Sequence, residues 1–183
     1  QVGICPEDEA QTPIVLVRQG VRIGFLAYAD PHPKFAYADE FLAFATRPAH
    51  GLKETIRRDL ENLAKTTDVV VVSLHWGIEY QVQHDPHQED LGRFIIDHGA
   101  DIVAGHHPHV LQAAEWYKHG LIIYSMGNFV FDQYSRPPTR LSRLYRVWVC
   151  PEGVTRAEYL PLRIWRDGWQ PRPQSQEFIP LHR

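Results

Sequence analysis

The residues of this chain best equipped for chemistry are its histidines. Eleven occur, against two Cys and one Met, and eight of the eleven fall between His75 and His119. Even spreading would place about three there. His75 closes an apolar run in Ser73-Leu-His-Trp-Gly-Ile-Glu-Tyr80, and His106, His107 and His109 stand together in Gly105-His-His-Pro-His-Val110. Neutral imidazole is a borderline ligand suited to zinc, manganese, iron or nickel. In an extended loop, a His-x-His pair sends both side chains to the same side. Pro108 would fix the backbone between His107 and His109, and Gly105 would allow a tight exit from a strand. The spacing therefore points to a metal site carried by His75 and the His106–His109 cluster. His84, His87, His98 and His119 lack such spacing and are expected to be surface groups or hydrogen-bonded core groups.

Ligands need a frame, and the periodicity supplies one. Val21–Tyr28 is apolar and β-rich after a Gln19-Gly20 turn, which predicts a strand. From Gly51 to Thr66, Leu52, Ile56, Leu60 and Leu63 recur at helical spacing opposite Arg57, Arg58, Asp59 and Glu61, which predicts an amphipathic helix. Asp68–Leu74 follows as an unbroken apolar run, expected to be a strand buried on both faces of a parallel sheet. His87–His98 is the next helix, with Gly99 as its stop. Asp101–Ala104 and Leu121–Ser125 are further short strands, so the alternation predicts an α/β fold. His75 and the His106–His109 cluster both follow strand ends, and ligands bind there in parallel α/β sheets. Pro31–Pro48 is expected to be a loop. Beyond Asn128 the chain turns β-rich, at Leu144–Cys150 and Val154–Leu160. The tail from Trp169 carries Pro171, Pro173 and Pro180 and is expected to lie extended on the surface.

At 183 residues and 21.2 kDa the chain fits one domain. Hydrophobic content of 44% and mean hydropathy of −0.35 exclude disorder. The longest apolar run, Val69 to Val72, is far short of the roughly 18 residues of a membrane span. A net charge of −3 and a pI near 6.4 give no general attraction to nucleic acid. From Arg136 onward there are nine Arg and four acidic residues. This basic stretch fits a solvated face, with a polyanion site as the alternative. Cys5 and Cys150 form no metal-spaced pair, and either one disulfide or two thiols is compatible with them.

Four motifs together carry a family resemblance. They are His75-Trp-Gly-x-Glu79-Tyr80, Gly99-Ala-Asp101, Gly105-His-His-Pro-His109-Val-x-Gln112, and Tyr124-Ser-Met-Gly-Asn128-Phe-Val-Phe-Asp132. In this order, between about Val21 and Leu162, they resemble the CapA family of bacterial capsule and poly-γ-glutamate biosynthesis proteins. That family is a branch of the calcineurin-like metallophosphoesterases. The resemblance implies an α/β fold of the metallophosphoesterase type, a four-layer α/β/β/α sandwich, incomplete here at its N-terminus. It also implies a single truncated domain over residues 1–183, with 169–183 as tail. The early ligands of the superfamily, an Asp and an Asn-Asn-His element, have no counterpart before His75. Asp30-Pro31-His32 mimics an Asp-x-His motif, but the resemblance places its strand midway along the domain, so it is read as a decoy.

The resemblance further implies a site for two divalent ions (manganese, zinc or iron) in the whole protein, with His75, His107 and His109 as ligands here. His106 is a neighbour or an alternative, because Gly-His-His-Pro-His holds one residue more than the superfamily pattern. Glu79 would orient a ligand or accept a proton, or is a plain surface carboxylate. Asn128 would donate hydrogen bonds to substrate, or shape a tight turn. Gln112 and Trp76 are weaker candidates, Trp76 fitting a core position better than a sugar-stacking one. The implied function is a metal-dependent, phosphoesterase-like hydrolase of capsule synthesis, weakly active at most in this piece alone. Its expected partners are an anionic polymer or a phosphorylated or γ-glutamyl substrate, and other capsule-synthesis proteins, at the cell envelope or outside the cytoplasm. The alternative is a non-catalytic envelope accessory that binds metal or polyanion.

Overall fold

A computed structural model describes residues 13–30, 52–133 and 135–183. Strand β1 (Ile14–Arg18) turns at Gln19-Gly20 into β2 (Val21–Ala29). Helix α1 (Leu52–Leu63) precedes β3 (Val69–His75), and helix α2 (Pro86–Asp97) precedes β4 (Ile102–His106). A hairpin of β5 (Ala114–Tyr117) and β6 (Gly120–Ile123) completes a six-stranded sheet in the order β1-β2-β3-β4-β6-β5. The inner strands β2, β3, β4 and β6 are parallel, while β1 and β5 run antiparallel at the edges. Pro31–Pro48 falls outside the described residues.

The helices form because their apolar residues share one stripe. On α1, Thr55, Ile56, Leu60 and Leu63 are buried, and Arg57 on the outer face pairs with Glu54 (2.6 Å) and Glu61 (2.5 Å). On α2, Asp85 caps the first turn by accepting from the His87 and Gln88 amides, and the Gln88 side chain returns a bond to the Asp85 amide. Both helices lie on the same face of the sheet. Their buried stripes meet Leu26, Val72, Leu74 and Val103 in one core.

The other face of the sheet is used differently at its two ends. At β6, Leu121 and Ile123 pack against Ala157, Tyr145 and Val147. These belong to a second, antiparallel sheet of β7 (Leu141–Cys150) and β8 (Gly153–Ile164), joined by β9 (Pro171–Pro173) and β10 (Ile179–Pro180). The described residues thus form a helical layer, a mixed sheet and an antiparallel sheet. The tail pairs with β8 through β9 and β10. Strand β3 departs from the expectation of burial on both faces. Val70, Val72 and Leu74 are sealed under the helices, but Val71 and Ser73 opposite are only half-buried.

The motif Gly99-Ala-Asp101 finds its place here. Gly99, at φ +103°, ends α2, and the Asp101 carboxylate accepts from the Val70 amide (2.8 Å). The Asp101 amide donates back to Val70 O, and Leu121 N donates to Asp101 O, both at 2.9 Å. One residue therefore sets the starts of three parallel strands, and so the level at which their far ends emerge. Among the described residues no helix is long and apolar enough to cross a membrane.

Candidate metal centre

The register of the parallel strands builds the site. His75 lies opposite His106 at the carboxyl ends of β3 and β4. The loops beyond are stitched together: Trp76 N donates to His106 O (3.1 Å) and Tyr80 N to Pro108 O (2.8 Å). Buried Gln112 accepts from Gln88 Nε2 (2.9 Å) and donates to Gln81 O (2.8 Å). Trp76 is fully buried, and its Nε1 donates to Tyr124 O (2.9 Å). Trp76 and Gln112 thus hold the loops in place from within.

Three imidazoles gather on this edge. The rings of His75 and His107 stand 4.4 Å apart, and those of His107 and His109 stand 6.3 Å apart. His106 is exposed at the end of β4. His109 Nδ1 donates to Asn128 Oδ1 (2.7 Å), because Asn128 Nδ2 is itself a donor, to Thr139 O (3.1 Å). That bond occupies Nδ1 of His109, and Nε2 stands 3.9 Å from the exposed Glu79 carboxylate. An amide orienting an imidazole from behind is a recurring support for metal ligands.

The backbone corrects one expectation. The His107-Pro108-His109 loop is not extended, since His107 has φ +98° and His109 φ +60°. Their rings are aimed by two left-handed residues rather than by strand alternation. Each such residue costs roughly 1–2 kcal/mol, and strain of this kind persists where the surroundings over-determine it. Here the surroundings are the Tyr80–Pro108 bond and the Asn128 contact.

Electrostatics favour the neutral form of His75, His106 and His107. Desolvation, then the neighbouring His107, His106 and His109, lowers His75 to about 4. Partial loss of solvent around their ring atoms also lowers His106 and His107, with His109 adding to the effect on His107. Neutral rings are the form that binds metal. Because the folded values lie below the ordinary 6.5, the unfolded chain takes up protons first as pH falls. The metal-free protein should therefore hold a constant melting temperature above about pH 7 and lose stability between about 6.5 and 4. His75→Gln should flatten that slope, and an unchanged slope in thermal melts would contradict this account.

The donors fit a divalent ion in kind: they are imidazoles, one of them held from behind. They do not fit in number. Among the described residues no group of three or more His, Cys, Asp or Glu closes into a metal-holding arrangement.

The remaining histidines take structural places. His84 stacks on Tyr124 at 3.7 Å between ring centres, and His98 Nδ1 donates to Phe94 O (2.7 Å). His87 Nε2 donates to the Asp30 carboxylate (2.7 Å), while His119 is exposed. Asp30, just after β2, also donates its amide to His75 O (2.9 Å), which brings it to the same sheet edge. His32 falls outside the described residues, as does Cys5; Cys150 is a half-buried free thiol.

Sequence reasoning did not find Tyr80, Gln133 and Arg136 as members of this edge. Tyr80 stacks near His109 (6.1 Å), its hydroxyl accepts from Gln133 Nε2 (3.0 Å), and Arg136 lies over its ring (4.2 Å). Only the Tyr80 inside the first motif gave any signal.

Over residues 2–133, which contain His75, His106, His107, His109 and Asn128, the sequence matches the family described as bacterial capsule synthesis protein PGA_cap. The chain belongs to that family. Among curated relatives, the capsule biosynthesis protein CapA of Bacillus anthracis is 39% identical over 157 residues, 84% of this chain and 37% of that protein. The PGA biosynthesis protein CapA of Bacillus subtilis (strain 168) is 46% identical over 101 residues, 55% of this chain and 26% of that protein. The chain thus spans between a quarter and two-fifths of the length of these two relatives. Among solved structures, a candidate 5′-nucleotidase from Staphylococcus aureus aligns with 92% of this chain and 29% of its own, at 17% identity and a TM-score of 0.45.

Proposed function

We propose that this chain carries the imidazole side of a metal-dependent, phosphoesterase-like hydrolytic site that serves capsule or poly-γ-glutamate synthesis. The observation that carries this reading is the gathering of His75, His107 and His109 at the carboxyl ends of β3 and β4, with His109 oriented by Asn128. Membership of a capsule-synthesis family supports the biological setting, and with it an anionic polymer and a place at the cell envelope. The four-layer sandwich is the architecture proposed for the whole protein, because two sheets already pack face to face with helices outside one of them.

In this reading His75, His107 and His109 hold metal, with His106 as the alternative neighbour. Completed by donors from elsewhere in the whole protein, such a site would supply Lewis-acid polarisation and a water of lowered pKa. Glu79, exposed beside His109, is placed to receive a proton at its carboxylate. Asn128 acts as a positioning residue, since both ends of its amide are already committed to His109 and Thr139.

The test is release of product from phosphodiester and γ-glutamyl substrates by the natural protein that carries this chain, with manganese or zinc added and then chelated. Metal-dependent release is expected. Stoichiometric binding of metal and polymer without turnover across both substrate classes would replace the hydrolase with the accessory role.

A further inference from the structure

We propose that Arg136 is the anion-binding residue of this edge, taking a carboxylate or phosphate oxyanion of the substrate beside the imidazoles. The inference rests on the reading above only for where the substrate lies. Its own evidence is a closed ring of contacts. His109 donates to Asn128, Asn128 donates to Thr139 O, and the Thr139 amide donates to Arg136 O (3.1 Å). From there the Arg136 guanidinium lies over the Tyr80 ring at 4.2 Å, and Tyr80 stacks back on His109.

The ring is anchored at several points. Thr139 is fully buried, and its hydroxyl also lies 2.6 Å from Gln133 O, while Gln133 Nε2 donates to the Tyr80 hydroxyl. The Tyr80 amide is tied to Pro108 between the two left-handed histidines. Arg136 is thus fixed at its backbone and at its head, one aromatic ring away from His109.

Its head is nevertheless available. Arg22, Arg93 and Arg146 each meet a carboxylate, of Asp68 (2.7 Å), Glu115 (2.7 Å) and Glu158 respectively. Arg136 is exposed and, among the described residues, meets the face of an aromatic ring and no carboxylate. A guanidinium stacked on tyrosine keeps its planar N–H fork pointing outward and loses little freedom on binding, which suits bidentate recognition of an oxyanion. The sequence places Arg136 at the head of its arginine-rich stretch, but only the fold brings that residue to the histidines.

The test uses this chain, metal-free in chelator, titrated separately with inorganic phosphate and with glutarate and followed through the Arg136 side-chain N–H and Tyr80 ring resonances. At least one probe should shift both signals and saturate, and Arg136→Gln should weaken that binding by about tenfold or more. Arg136→Lys should retain part of it. Saturation by phosphate alone assigns a phosphoryl group, and saturation by glutarate alone assigns a carboxylate. Equal affinity in Arg136→Gln, or no shift of the Arg136 signal with either probe, would overturn the proposal. Because metal is absent throughout, failure here leaves the metal reading untouched, and failure of metal binding leaves this result standing.

Discussion

His107→Ala is expected to weaken divalent-metal binding by more than tenfold, measured by competition with a chromophoric chelator for zinc or manganese. His107 is the ring that links the cluster, 4.4 Å from His75 and 6.3 Å from His109. Removing it separates the remaining donors. Loss of a supporting group behind a ligand typically costs 10- to 100-fold in affinity, so loss of a ligand itself should cost at least as much. Asn128→Ala provides the graded comparison, with an intact imidazole set but a His109 free to rotate. It should fall between the parent chain and His107→Ala. The substitution also removes a side chain from φ +98°, where alanine remains strained, so no compensating gain in stability is expected. Equal metal affinity in His107→Ala and the parent would remove His107 from the site and with it the proposed hydrolase.

The second large effect lies beneath the site. Gly105→Ala should destabilise the fold by about 3 kcal/mol or more, read from the shift in urea denaturation midpoint. A β-carbon at this position would overlap the Tyr124 carbonyl oxygen, and would sit 2.5 Å from Trp76 Nε1 and 2.7 Å from the Ile123 carbonyl oxygen. Two of these obstacles are backbone and cannot rotate away. The third takes part in the Trp76–Tyr124 hydrogen bond, which the substitution would break. The glycine that opens Gly-His-His-Pro-His is therefore required by close approach of β4 to β6 and to Trp76. Its role is not a special backbone angle. A loss below about 1 kcal/mol would mean that the strands separate easily here, contrary to the packing described.

Local signals and long-range contacts contributed differently to this account. The apolar run that became β3 was legible because a run of four β-branched residues favours a strand whatever covers its second face. The stripe Leu52, Ile56, Leu60, Leu63 was legible because helical period is a property of neighbours in sequence. Strands β1 and β5 were not. Ile14–Arg18 is mostly exposed, and it is a strand through its pairing with β2, from Ile14 with Phe25 to Arg18 with Val21. Ala114–Tyr117 is four residues without alternation, organised by β6.

The same division runs through the site. The sequence alone determined which imidazoles follow strand ends and the family to which their motifs point; from it the metal is an expectation that the residue type suggests. Tertiary structure decided how they are aimed: His107 and His109 turn in the left-handed region, which no pattern of side-chain types announces. It also decided the company they keep, through Asp30 on His87, 57 positions apart, and Arg136 over Tyr80. The physical reason is range. Hydrophobic period and strand ends follow from neighbouring residues, whereas a ring stacked under a guanidinium, or a carboxylate beside an imidazole, exists only once distant segments share a sheet edge.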